Sequence, residues 1–115
     1  MGLVGAIIGD IIGSTREFKR PERRDLSCLI PEDSHFTDDT VLSVATKYAI
    51  QNNIPFKDAY IEFGRKYRRV GYGNRFCEWL DNEGNHLPYG SCGNGSAMRV
   101  GYIGEFYQVR MKCDV

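Results

Sequence analysis

Apolar positions along this chain recur at helical spacing, and alternation of the strand type is scarce. The stretch 3–14 is rich in Gly, Ala, Ile and Val and reads as a buried helix. Gly5, Gly9 and Gly13 recur at i, i+4 and i+8 and fall on one stripe of it. Each glycine costs about 1 kcal/mol relative to alanine in a helix. The stripe therefore suits close approach of something to the backbone, either another helix or a ligand. Val41, Val44, Ala45 and Tyr48 mark an amphipathic helix from an N-cap at Thr37 to about Gln51. Asn52 and Asn53 break it, and Pro55 suits the first turn of the next. Phe56, Ala59, Tyr60, Phe63 and Tyr67 supply that helix's apolar face, and the stretch 71–74 ends it. Phe76, Trp79 and Leu80 predict a short helix up to Asp81. A last helix starts near Gly95 with Met98, Tyr102, Phe106 and Val109 on one face. Within it, 102–109 is the one run that also fits a strand.

Two polar stretches lack periodicity. One is 19–32, carrying Pro21 and Pro31, and the other is 82–93, rich in Gly, Asn and Pro. Loops of that length usually carry function or motion. The fold class is all-α, in a single domain spanning 1–115, with no internal repeat.

Composition narrows the function classes. A hydrophobic content of 42% and a charged content of 26% are those of an ordinary globular protein. Formal net charge is zero, so no global field recruits nucleic acid or anionic lipid. The basic runs Lys19-Arg20 with Arg23-Arg24, and Arg65-Lys66 with Arg68-Arg69, read as solvated faces. Cys28, Cys77, Cys92 and Cys113 are widely spaced with no CxxC pair, and His35 and His86 do not complete a zinc set. Free thiols in a reducing cytoplasm are expected. The apolar start has no basic n-region, and Asp10 interrupts it well short of a membrane span, so neither leader nor anchor is expected.

Three oxygen-rich strings carry the chemistry. Thr37, Asp38 and Asp39 open a helix after a long loop. At a helix end two consecutive carboxylates can serve one ion, and such hard oxygen donors suit Mg²⁺ or Mn²⁺. Capping with acidic support is the plain alternative. Gly90, Ser91, Cys92, Gly93, Asn94 and Gly95 run straight into a helix start, where free N–H groups can cradle phosphate. A flexible capped loop is the plain alternative there. It is neither a Walker A loop nor a dinucleotide fingerprint. Asp10 and Glu17 are seven residues apart, two helical turns, and could share a face. A carboxylate inside an apolar helix must find a partner.

The strings GAIIGDIIGSTRE, FTDDT and GSCGNGSAMR, in that order, resemble those of the ADP-ribosylglycohydrolase family over nearly the whole chain. The resemblance implies a compact orthogonal helical bundle with a two-Mg²⁺ site. It also implies hydrolysis of the glycosidic bond joining ADP-ribose to a protein side chain or small molecule. By position it makes Thr37, Asp38 and Asp39 metal ligands, and Asp38 and Asp39 catalytic as well. Glu17 becomes the glutamate near the scissile bond, a general base or a gate contacting metal. Gly90 to Gly95, Ser91 and Asn94 foremost, become the loop around the diphosphate, and Asp10 and Ser14 structural support.

The chain also departs from the family pattern. Relatives carry further metal ligands in a GDTDT-like string and a His-rich stretch, and neither is present here; Asp114 is the lone acid of the tail. Cys92 stands where relatives often have an aromatic. The expectation is the N-terminal portion of a glycohydrolase, truncated and inactive alone. Three other readings stand beside it: half of a split enzyme completed by a C-terminal polypeptide, an ADP-ribose-binding module, and a helical interaction protein. Helix faces left without partners would favour self-association.

Overall fold

The computed structural model describes residues 2–18 and 27–113, with side chains through 108. Pro21, the run Lys19-Arg20 with Arg23-Arg24, the Val109 end of the last apolar face, Cys113 and Asp114 lie outside the described side chains. Within them the chain is all-helical: α1 (Gly2–Gly13), α2 (Asp38–Asn52), α3 (Phe56–Lys66), α4 (Asn74–Asp81), α5 (Gly95–Met98) and α6 (Gly101–Cys113). No strand occurs among the described residues, and 102–109 is helical. No helix among them is long and apolar enough to cross a membrane. Cys28, Cys77 and Cys92 are free thiols.

Helix α2 is the centre. The chain enters it through Thr37, whose extended backbone and side chain make the expected N-cap, accepting from the Asp39 N–H at 3.2 Å. It leaves through Asn53 in the left-handed conformation (φ 52°), with the Ile54 N–H returning to the Ala49 carbonyl at 3.0 Å. Periodicity shows one apolar stripe on α2, but its buried set is Val41, Leu42, Ser43, Ala45, Thr46 and Ala49. The helix is covered on more than one side because α1, α3, α5 and α6 all pack on it. The small polar residues fit because their hydroxyls are spent locally. Thr46 donates to the Leu42 carbonyl at 2.9 Å and meets the Tyr60 hydroxyl at 2.9 Å. Ser43 donates to the Asp39 carbonyl at 2.6 Å, and lies 3.2 Å from the Met98 carbonyl.

Around α2 the core divides in two. Val41, Leu42 and Tyr72 form one cluster with Phe63, Phe76 and Met98, and Ala45, Ala49 and Ala59 form the other with Tyr48 and Ile54. Helix α3 starts on Pro55, whose carbonyl receives the Asp58 and Ala59 N–H groups. It meets α4 at a glycine: a Cβ on Gly64 would stand 2.8 Å from Leu80 Cδ1, and Leu80 is fully buried.

The predicted final helix is two helices. Asn94 starts α5 by accepting the Ala97 and Met98 N–H groups, Arg99 ends it, and the Val100 carbonyl starts α6. That offset lets α6 run back to α1. There Gly2 and Gly101 meet so closely that a Cβ on Gly2 would lie 2.7 Å from the Gly101 carbonyl oxygen. Glu105 of α6 accepts the Leu3 N–H at 3.2 Å, serving an orphan donor of the first turn of α1. The Gly5, Gly9 and Gly13 stripe is not where helices cross, since a Cβ at any of the three would meet nothing within 4 Å.

Candidate functional site

Asp10 holds the entrance to α2. Its carboxylate accepts four hydrogen bonds from the turn it faces. The Thr37 N–H donates at 2.7 Å and the Thr37 hydroxyl at 2.6 Å; the Thr40 hydroxyl donates at 2.6 Å and its N–H at 3.2 Å. This is the partner that a carboxylate in an apolar helix required. The Asp38 N–H donates to the Val70 carbonyl at 2.9 Å, tying the same turn to the segment after α3. Asp38 and Asp39 are thus set by their backbone, and among the described residues no other residue hydrogen-bonds either carboxylate; Asp38 meets only its own backbone N–H.

Their electrostatics reflect that crowding. Burial, the Asp39 charge and the more distant Glu17 and Asp10 charges push the Asp38 carboxyl up to about 6. Burial raises Asp39 as well, helped by Asp10 and Glu17 and opposed by Arg99. Burial is the larger cause at Tyr72, whose phenol rises to about 12 beside the Asp38 charge.

Two hollows meet at this place. The larger, about 820 Å³, has Asp38 on one wall and Ser91, Cys92, Gly93, Asn94, Gly95 and Ser96 on another. Phe56, Tyr60, Phe76 and Tyr89 give it an aromatic side, and Arg75 and Arg99 bring positive charge. The smaller, about 440 Å³, is lined by Asp10, Glu17, Asp39 and Ser43, with Ala6, Gly9 and Gly13 of α1 as its floor. Asn94 and Met98 line both. Gly9 and Gly13 of the glycine stripe thus face open space beside carboxylates.

Glu17 does not share a helical face with Asp10, because α1 ends at Gly13. It reaches the smaller hollow on the turn that follows, and that turn is pinned. Arg16 donates to the Ile12 carbonyl at 2.7 Å and to the Cys28 carbonyl at 3.0 Å. The Ser14 hydroxyl accepts the His35 N–H at 3.1 Å. Gly90 lines neither hollow; at φ 58° it turns the chain behind the wall that Ser91 begins. Arg99 donates through Nε to the Gly95 carbonyl and lies over the Tyr60 ring, 4.6 Å from its centroid.

Among the described residues no three His, Cys, Asp or Glu gather at metal-binding spacing. Asp38 and Asp39 offer carboxylate oxygens that no other described residue hydrogen-bonds, with the Arg99 charge acting on Asp39. The Thr37 hydroxyl, with its proton on Asp10 and one lone pair on the Asp39 N–H, keeps a second lone pair. That set fits Mg²⁺ in kind, since the ion commonly takes one or two protein carboxylates and keeps several waters.

The ADP-ribosylglycohydrolase family model matches residues 1–112, nearly the full length of 115. The chain belongs to the ADP-ribosylglycohydrolase family. No curated protein and no solved structure gives a match. Membership of that hydrolase family implies an ADP-ribosylglycohydrolase-like function. Of the residues lining the two hollows, the acidic pair and the 91–95 part of the turn stand out in the sequence, whereas Arg75, Tyr89, Phe56 and Tyr60 do not. The aromatic and cationic wall comes from α3, α4 and the loop before the turn, with no local motif to announce it. The i, i+4 spacing of Phe56 and Tyr60 marks an apolar helix face; Tyr60 packs on both core clusters and also lines the cavity, where the Phe56 ring stacks 6.2 Å from it.

Proposed function

We propose that the larger hollow receives the ADP-ribose part of an ADP-ribosylated side chain or small molecule, together with Mg²⁺ (Mn²⁺ substituting). The observation that carries this reading is that Asp38 and the Ser91–Gly95 turn are walls of one cavity. Thr37, Asp38 and Asp39 would hold the ion. When bound, it supplies charge neutralisation for the acidic pair and an acidified water. N–H groups of the turn and the Arg99 charge face the diphosphate. The Asp38 and Asp39 carboxylates stabilise the oxocarbenium-like charge that develops as the glycosidic bond breaks. Glu17, in the adjoining hollow, takes the proton of the attacking water.

The chain on its own is proposed to bind without turning over. Support comes from the donor count: two ligating carboxylates serve one hydrated ion, not the pair of ions that family hydrolysis implies. A polypeptide bringing further carboxylates would complete the site.

Calorimetric titration with ADP-ribose, with and without MgCl₂, tests both parts. Saturable binding that tightens with Mg²⁺ is expected, with no ADP-ribose released from an ADP-ribosylated peptide. Binding that is absent, or indifferent to Mg²⁺ and to Asp38→Ala, would overturn the site. Metal-dependent release by this chain alone would overturn the second part.

A further inference from the structure

The loop 82–94 delivers the 90–95 turn to the cavity, yet it has almost no structure of its own. Among the described residues its internal hydrogen bonds are two short side-chain turns. The Gly84 N–H donates to the Asn82 side chain, and the Gly93 N–H to the Ser91 hydroxyl. Apart from Asn94, whose carbonyl starts α5, its hydrogen bonds to the rest of the described protein come from two side chains of α4. Trp79 donates through Nε1 to the Leu87 carbonyl at 3.1 Å and lies edge-on to His86. Arg75 donates to the Tyr89 carbonyl at 2.7 Å and the Gly90 carbonyl at 3.4 Å, with its guanidinium 5.3 Å from the Tyr89 ring centroid. The two are four residues apart, so they stand on one face of α4.

The placement of the Arg75 contacts is informative. The carbonyls it grips lie immediately before Ser91, and Gly90 is left-handed there. Fixing two successive carbonyls with one planar fork fixes the peptide planes around that residue. The course of the following backbone along the cavity wall is then set before any ligand arrives. We propose that Arg75 is a positioning residue: it pre-organises the 90–95 turn, and ligand affinity depends on it through the loop.

The effect on ligand rests on the reading given under Proposed function; the effect on the loop does not. The test therefore uses two readouts on the full chain. Backbone ¹⁵N relaxation without ligand follows the loop, and ADP-ribose titration follows the site. In Arg75→Ala, order parameters across 89–94 should fall to about 0.6 or below while those of α2 stay as in the parent. The ADP-ribose Kd should weaken by about tenfold or more. Arg75→Lys can reach one carbonyl but cannot fork, so it should recover part of both. Unchanged order parameters across 89–94 in Arg75→Ala overturn the proposal. So does weakened binding with unchanged order parameters, which would make Arg75 a direct ligand contact. An equal fall in α2 overturns it too, as loss of global order. If the parent itself binds no ADP-ribose, the site reading fails and the relaxation data still decide the role of Arg75.

Discussion

Asp10→Asn is the sharpest perturbation of the acidic entrance. In the parent, one carboxylate oxygen accepts from both the Thr40 hydroxyl and N–H and from the Thr37 N–H, and the other accepts from the Thr37 hydroxyl. An amide placed to keep the three-bond oxygen makes those bonds neutral. Charge-assisted bonds are worth about 1.5–3 kcal/mol and neutral ones about 0.5–1.5, so three conversions cost roughly 3 kcal/mol. The fourth contact becomes an N–H facing Thr37, whose hydroxyl proton loses its acceptor. Against this, removing a negative charge relieves Asp38 and Asp39, both raised in part by Asp10, for about 1 kcal/mol in return. The net expectation is a loss of about 2 kcal/mol. Asp10→Ala, which strands two N–H groups and two hydroxyls at a partly buried turn, should lose about 4 kcal/mol or more. Urea denaturation of both variants measures this directly, and a cycle with Thr40→Val should show coupling of about 1 kcal/mol. A loss below about 0.5 kcal/mol for Asp10→Asn, or no coupling to Thr40, would refute the clasp. Asp38 titration by NMR should also move down in Asp10→Asn.

Asp38→Asn should stabilise the metal-free protein at pH 7 by about 1 kcal/mol after allowance for its half exposure, and should weaken Mg²⁺ binding. The folded state holds the Asp38 proton more tightly than the unfolded chain does. Stability from this group is therefore present below about pH 4 and lost as pH rises through about 6. The advantage of Asp38→Asn in a thermal melt should accordingly disappear at pH 4, and persistence there would contradict the assignment. Gly64→Ala should cost about 1–3 kcal/mol, because the new methyl collides with fully buried Leu80; a neutral result in a melt would disprove that contact. Gly5→Ala should gain about 0.5–1 kcal/mol, since nothing lies within 4 Å of the added carbon, and a destabilised variant would mean that something does pack there.

The helices were legible because their punctuation is local. Thr37, Asn53, Pro55 and Asp81 each mark a boundary through backbone chemistry that the residue itself dictates. The split at Arg99 was not legible, because α6 is turned toward α1 by the Gly2–Gly101 contact, between residues at distant points in the sequence. Burial of Ser43 and Thr46 was equally hidden, since polarity argued for solvent until their hydroxyls were seen to bond within the helix. The candidate site divides the same way. Asp38, Asp39 and the 90–95 turn stand out as strings. The partners of Asp10, the seat of Glu17 on a pinned turn, and the grip of Arg75 arise only when separate segments meet.

Asn94 is where the two hollows share a wall, and it also begins α5. An occupant of either space meets the same two residues, Asn94 and Met98. Thermodynamic reciprocity then applies: whatever free energy a guest in the first lends to a guest in the second must be returned in equal measure. A substitution at Asn94 would therefore change how the two compartments communicate as well as how each is filled.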